Sequence, residues 1–348
     1  MNIFNDQNVI ITPLKGISLP VYKRTFWVLC ALVALLSLSF ICSLKLGSVS
    51  VSWADVYAVV GFDVTLNDAT STIYELRLPR IMGAIAAGAL MALSGYLLQT
   101  AARNALADPG VLGLSDGAAL SVIVLYVIFS QVSLTASIIA SFLGVFVTAL
   151  VVLWFVHKNM NGTFIVLVGI AVGAVMSAFS DILLSSVSIE DMAFLMAFLS
   201  GSFVSLDLAS ASFLSAWMTV IIAVFLLLSR YINPLNFGYL HAMSLGVDAK
   251  KYYIFIIILA VFAMAPVIAL VGSIGFIGLI ATFLAKNIIG YRGTELGIVS
   301  MLLGAIMTLW ADTLGRTLFA PIMINAGVFI ALIGALFFII MTRYIVRQ

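Results

Sequence analysis

Charge is what this chain has least of. Lysine, arginine, aspartate and glutamate together make up 9% of 348 residues, where a soluble domain carries about a quarter. With 64% hydrophobic residues and a mean hydropathy of +1.25, a water-soluble globular fold is excluded. The two cysteines, Cys30 and Cys42, share one apolar run and have no metal-ligand spacing. The two histidines, His157 and His241, lie far apart, which argues against a metal site. No G-x-x-x-x-G-K-[ST] phosphate loop is present, so the chain cannot hydrolyse ATP by that route. No Ser/His/Asp set or carboxylate pair stands out either. The densest polar group, Glu75, Arg77 and Arg80, lacks a nucleophile and a base, which speaks against a membrane enzyme. A net charge of +2 spread over short connections gives no basis for nucleic-acid binding.

What remains is a series of charge-free apolar windows: 25–44, 81–102, 117–131, 135–156, 163–180, 208–229, 252–271, 273–285, 296–311 and 322–342. Backbone groups in lipid must be satisfied within their own segment, so these windows predict helices. The expectation is an all-α polytopic membrane protein of about ten transmembrane helices. With the N-terminus in the cytoplasm, all of the 16 cations except Lys45, Arg77, Arg80 and Arg316 fall inside. Both termini are therefore expected to be cytoplasmic. Residues 1–24 read as a cytoplasmic tail with Pro13 and Pro20, followed by a retained first helix rather than a cleaved signal. Residues 25–348 read as a single transmembrane domain, since no linker divides them.

Within the spans, Gly83, Gly88, Gly95, Gly169 and Gly173 predict close helix packing. Met192 to Gly201 is apolar but too short to span, and predicts a short helix at the outer face. The connection 231–250 is the largest on the inner side. There Pro234 and Gly238 are expected to break the chain, and Tyr239 to Leu245 to form a short amphipathic helix ended by Gly246. Pro109-Gly110 ends a helix, with Ser115 or Asp116 as candidate caps of the next. Asp181 and Asp312 are the acidic residues nearest the spans; Asp312 stands four residues before Arg316, at ion-pair spacing. They invite the alternative of an ion-driven secondary transporter. That class would need a broken helix with charged groups at mid-membrane, which is not legible here.

Arg77-Leu78-Pro79-Arg80 and Asn104-Ala105-Leu106-Ala107-Asp108-Pro109-Gly110-Val111-Leu112-Gly113 resemble the R-x-P-R and N-x-L-A-x-P-x-x-L-G patterns of FecCD-type permease subunits, found in iron-siderophore, haem and cobalamin ABC importers. Leu235 to Gly238 followed by Ala242-x-x-Leu245-Gly246-Val247, Gly272 to Ile280, Ala311 to Arg316 and Gly327 to Phe338 extend the resemblance to the C-terminus. Departures are Ala105 for the common proline, Ser273 for another, Thr282-Phe283 for Pro-His and Lys286 for arginine.

The resemblance implies a dimer with a second permease subunit, like or unlike, around a central path. It implies a cytoplasmic ABC ATPase that uses ATP and Mg, an extracytoplasmic substrate-binding protein, and an iron chelate as cargo, in a bacterial inner membrane. No cofactor is expected on the chain itself. By the same resemblance Arg77, Arg80 and Arg316 dock the binding protein. Leu235, Asn236, Gly238, Ala242, Leu245 and Gly246 couple to the ATPase, and Asn104, Leu106, Pro109, Gly110, Gly162 and Thr163 form the cytoplasmic gate and turn.

Overall fold

The computed structural model describes residues 8–14, 17–47, 49–60, 68–129, 132–157, 162–236, 243–246, 248–320 and 322–345. An antiparallel hairpin, β1 (Asn8–Leu14) and β2 (Ile17–Tyr22), precedes the helices within the segment expected to be a tail. Then come α1 (Lys23–Lys45), α2 (Trp53–Val60), α3 (Asp68–Ser71), a π turn at Thr72–Arg77, and α4 (Leu78–Ala102). Next are α5 (Leu114–Ile128), α6 (Leu134–Val156), α7 (Gly162–Leu184), α8 (Ile189–Leu199) and α9 (Leu208–Leu235). The last four are α10 (Ala249–Val271), α11 (Ile277–Ile289), α12 (Thr294–Thr317) and α13 (Ala326–Ile345).

Among the described residues seven helices are long and apolar enough to cross a membrane, and α5, α11 and the first part of α13 are shorter apolar helices. Each predicted window overlaps one of these ten. The protein is an all-α integral membrane protein.

Helix α4 sits at the centre. The most apolar window of its Thr72–Ala102 stretch is 89% buried, against 17% for α1 and 22% for both α7 and α9. Its composition explains this, because Gly83, Ala84, Ala86, Ala87, Gly88, Ala89, Ala92 and Gly95 leave little side chain to keep neighbours away. Apolar burial drives nothing when the solvent is lipid, so close packing has to hold the bundle together. A Cβ on Gly88 would stand 2.3 Å from the Gly304 carbonyl oxygen on α12, and one on Gly95 would stand 2.4 Å from Gly278 Cα on α11. Helix α10 joins on another side, where Ser94 Oγ donates to the Ala260 carbonyl at 2.8 Å. Helices α9, α10, α11 and α12 thus sheathe α4.

Several boundaries differ from the sequence reading. Helix α7 runs past Asp181 to Leu184, and α9 runs past Arg230 and Pro234 to Leu235. Pro234 has no N–H for the carbonyl four residues back, and the helix ends one residue after it. Ser115 and Asp116 lie inside the first turn of α5, whose N-cap is Gly113 at φ 71. The expected outer helix is α8, capped by Ser188 Oγ accepting from the Asp191 N–H at 3.2 Å.

Candidate functional site

At one end of the bundle Arg77 and Arg316 meet the last turn of α1, and Arg80 lines the same cavity as both. That turn has carbonyls with no helical partner. Arg77 Nη1 donates to the carbonyls of Leu44 (2.6 Å) and Lys45 (2.7 Å), and its Nη2 donates to that of Val49. Arg316 Nη2 donates to the Ser43 carbonyl (2.6 Å) and to Ser43 Oγ (2.7 Å). A second contact, between Ser43 Oγ and Thr313 Oγ1, is 2.7 Å. Two guanidinium groups therefore cap α1 from α12 and from the start of α4.

Arg80 Nη2 reaches Asp312 Oδ1 at 2.6 Å, and Arg316 Nε lies 3.7 Å from Asp312 Oδ2. Asp312 is 1% exposed. The expected pair of Asp312 with Arg316 is present, but Arg80 is the nearer partner.

Arg77 and Arg316, which the resemblance makes docking residues, are buried in the single chain, at 3% and 4% exposure, with Arg77 Nη1 and Nη2 and Arg316 Nη2 engaged by the end of α1 and the connection after it. Arg77 serves backbone carbonyls as a cap. Of the three, Arg80 keeps the most access, with its side chain 12% exposed.

The opposite end of α4 closes with Arg103 in the left-handed region at φ 49. Asn104 Oδ1 then accepts from the Leu106 N–H at 2.9 Å, a local turn that holds Asn104 and Leu106 together. Asp108 caps the short 3-10 turn Pro109–Leu112, its Oδ2 accepting from the Gly110 N–H at 3.1 Å. The same carboxylate accepts from the Leu279 N–H on α11 through Oδ1, also at 3.1 Å. Phe276, the N-cap of α11, offers no side-chain acceptor, so Asp108 caps that helix from another part of the chain.

The site lies inside the bundle. Gly278 packs on Gly95, seven residues or about 10 Å from the end of α4. Gly113 packs on Gly173, eleven residues or about 16 Å along α7. The turn after α4 therefore folds back into the bundle, and Gly272 to Phe276 link α10 to α11, which runs back along α4 from Gly278 beside Gly95 to Lys286 beside Gln99. Asp108 is a buried acid that the sequence reading did not find. Asp108 was missed as a joint; an aspartate directly before Pro-Gly after a helix was the available signal. Gly162 and Thr163 open α7, away from Asp108 in sequence but in the helix on which its turn packs.

Of the expected coupling residues, Leu235 is buried at the end of α9. Asn236 turns inward: Thr100 Oγ1 donates to its Oδ1 (3.0 Å), and its Nδ2 donates to Tyr96 Oη (3.1 Å). Gly238 and Ala242, with most of the expected amphipathic helix, lie outside the described residues. Met243 and Leu245 are exposed, at 52% and 60%. Gly246 follows in the left-handed region at φ 76, as its expected role at a helix end requires.

A bundle sheathed around one small-residue helix, with two distant turns joined inside it by a buried aspartate, is the architecture of an integral membrane permease, a non-catalytic transporter subunit. The chain belongs to the FecCD transport family, whose family model matches residues 35–344. It is 31% identical to the Fe(3+)-citrate import system permease protein YfmE of Bacillus subtilis, over 94% of this chain and 97% of that one. It is 30% identical to the probable heme-iron transport system permease protein IsdF of Staphylococcus aureus strain Newman, over 90% and 94%.

Among solved structures, an inward-facing transporter assigned to the metal-chelate ABC type superposes with a TM-score of 0.78 at 28% identity, covering 92% of this chain and 99% of that one. PsaBC from Streptococcus pneumoniae shares the fold at 15% identity, with a TM-score of 0.54 over 82% of this chain and 94% of that one.

Proposed function

We propose that this chain is a permease subunit of a binding-protein-dependent ABC importer for an iron-siderophore complex in a bacterial inner membrane. It pairs with a second permease subunit around a central path and crosses the membrane ten times, with both termini cytoplasmic. A cytoplasmic ATPase docks on the connection 231–250 and hydrolyses ATP; a binding protein delivers cargo from the opposite face. The observation that carries the coupling reading is the apolar pair Met243 and Leu245, exposed beside the Gly246 turn in a connection that must face water or a partner. The names of its relatives, which include Fe(3+)-citrate, siderophore and heme-iron permeases, support an iron chelate as cargo.

A buried aspartate such as Asp108 is a feature that an ion-driven carrier would use. Both Asp108 oxygens accept backbone N–H groups, however, and a carboxylate committed to two caps is a poor carrier of a travelling proton or sodium ion.

The test is reconstitution. With an ATPase subunit and a binding protein, proteoliposomes take up the iron chelate only when ATP is supplied. Replacing Leu245 and Gly246 with Asp leaves the protein inserted but releases the ATPase. Uptake by the lone chain under a proton or sodium gradient would overturn the proposal.

A further inference from the structure

Where the end of α4 meets α9, α11 and the α11–α12 connection, a cavity of about 250 Å³ opens beside the Asn104 turn. This is the end assigned to the cytoplasm above. Its lining includes two cations, Lys286 and Arg103, and no carboxylate.

The hydrogen bonds of the wall leave an imbalance. Thr100 Oγ1 donates to Asn236 Oδ1 at 3.0 Å, Asn236 Nδ2 to Tyr96 Oη at 3.1 Å, and Tyr96 Oη to the Gly293 carbonyl at 2.9 Å. The side-chain acceptors of that chain are thus engaged. Lys286 Nζ donates to Gln99 Oε1 at 2.8 Å, which takes the one acceptor that Gln99 has. Gln99 Nε2 is left buried with no acceptor, in a side chain on a residue only 5% exposed. An ammonium has three N–H donors and an amide nitrogen two. A buried donor without a partner destabilises its surroundings. The cavity wall therefore has a spare donor on Gln99 and a cation in Lys286, with no carboxylate in its lining.

We propose that this cavity binds a small oxyanion of carboxylate or phosphate type, held by Lys286 Nζ and Gln99 Nε2 with Arg103 adding charge. One such anion satisfies the orphan amide and neutralises a lysine that would otherwise stand half-buried without an acid. Lys286 stands where the family pattern has arginine. A single ammonium and an amide suit one oxygen each of a compact anion, where a guanidinium would fork onto two.

The test uses the full chain in detergent micelles, with inorganic phosphate and iron-free citrate as separately titrated probes at constant ionic strength set by chloride. Labelled-anion binding is expected to saturate at one site per chain for at least one probe, and which probe saturates identifies the chemistry. Lys286→Gln weakens half-saturation at least tenfold. Gln99→Glu carries its own carboxylate to Lys286 and abolishes binding while keeping the fold, so loss in that variant does not report unfolding. Lys250→Gln, on an exposed residue outside the cavity, leaves binding unchanged. Absence of saturable binding of either probe to the wild type, or equal binding by Gln99→Glu, overturns the proposal. No ATPase or cargo enters the measurement, so its failure is distinct from failure of the transport reading.

Discussion

Replacing Arg77 with leucine separates a capping role from a docking role. The side chain gives three charge-assisted hydrogen bonds to the carbonyls of Leu44, Lys45 and Val49. Each such bond contributes about 1.5–3 kcal/mol, so simple addition would exceed 4 kcal/mol. Addition overstates the loss, because Val49 is exposed and Lys45 partly so, and water can replace the guanidinium at both. Leu44 is 1% exposed, and its carbonyl has no such substitute. The net cost is then about 3 kcal/mol, one fully orphaned acceptor plus part of the other two.

In a chain of this length that lowers the midpoint of thermal unfolding by about 5 °C, an extrapolation from smaller domains. Trp53 stacks under Lys45 at 4.3 Å just beyond the end of α1, so in a background with the other four tryptophans replaced by phenylalanine its fluorescence during heating in detergent reports the local loss. Arg77→Lys keeps the charge but cannot fork to three carbonyls, and falls between wild type and leucine. An Arg77→Leu protein that inserts normally and melts at the wild-type temperature, with the same Trp53 transition, would refute the capping argument.

Asp312→Ala leaves Arg80 and Arg316 without their acid and is expected to cost about 3–5 kcal/mol, the usual penalty for one orphaned member of a buried ion group; adding Arg80→Met should return part of it in a thermal-unfolding cycle. Gly88→Ala should destabilise, because its Cβ would overlap Gly304 and Thr308, whereas Gly275→Ala, with nothing within 4 Å, should melt like wild type. Asp207 caps α9 by accepting from the Ser210 N–H at 2.9 Å, and hydrogen bonds from Ser210 hold its carboxyl below the usual carboxylate range. A lowered folded-state pKa stabilises above the unfolded value, near 3.9, and that contribution fades as pH falls through the folded value. Protection of the first-turn amides of α9, measured as exchange relative to the intrinsic rate at each pH, should accordingly fall at low pH in wild type and be low at every pH in Asp207→Ala.

The helices were legible because apolar length is a one-dimensional property. Their ends were less so, since a window without charge stops at Asp181 or Arg230 while the hydrogen-bond ladder continues for several residues. Packing glycines were also legible, because a small residue in a lipid-facing sequence has few other uses. The burial of the arginines was not legible, for a physical reason. A cation outside a span looks exposed in sequence, but Arg77 and Arg316 find acceptors 33 and 273 residues away, in carbonyls that carry no sequence signal. Asp108 illustrates the same limit. Its local cap of Gly110 could be read from Asp-Pro-Gly, but its bond to Leu279 depends on a fold that brings two distant turns together.

The burial of α4 also constrains how the protein is made. Its neighbours α10, α11 and α12 begin at Ala249, Ile277 and Thr294, long after α4 has ended at Ala102. At about 5–20 residues per second, translation takes roughly 7–30 s to cover the stretch from Ala102 to Ala249. Throughout that interval the glycine and alanine faces of α4 have only lipid and early helices against them. The centre of the bundle is thus inserted early but completed late, and a ribosome stalled before α12 leaves a chain whose central helix still lacks the partner that meets Gly88.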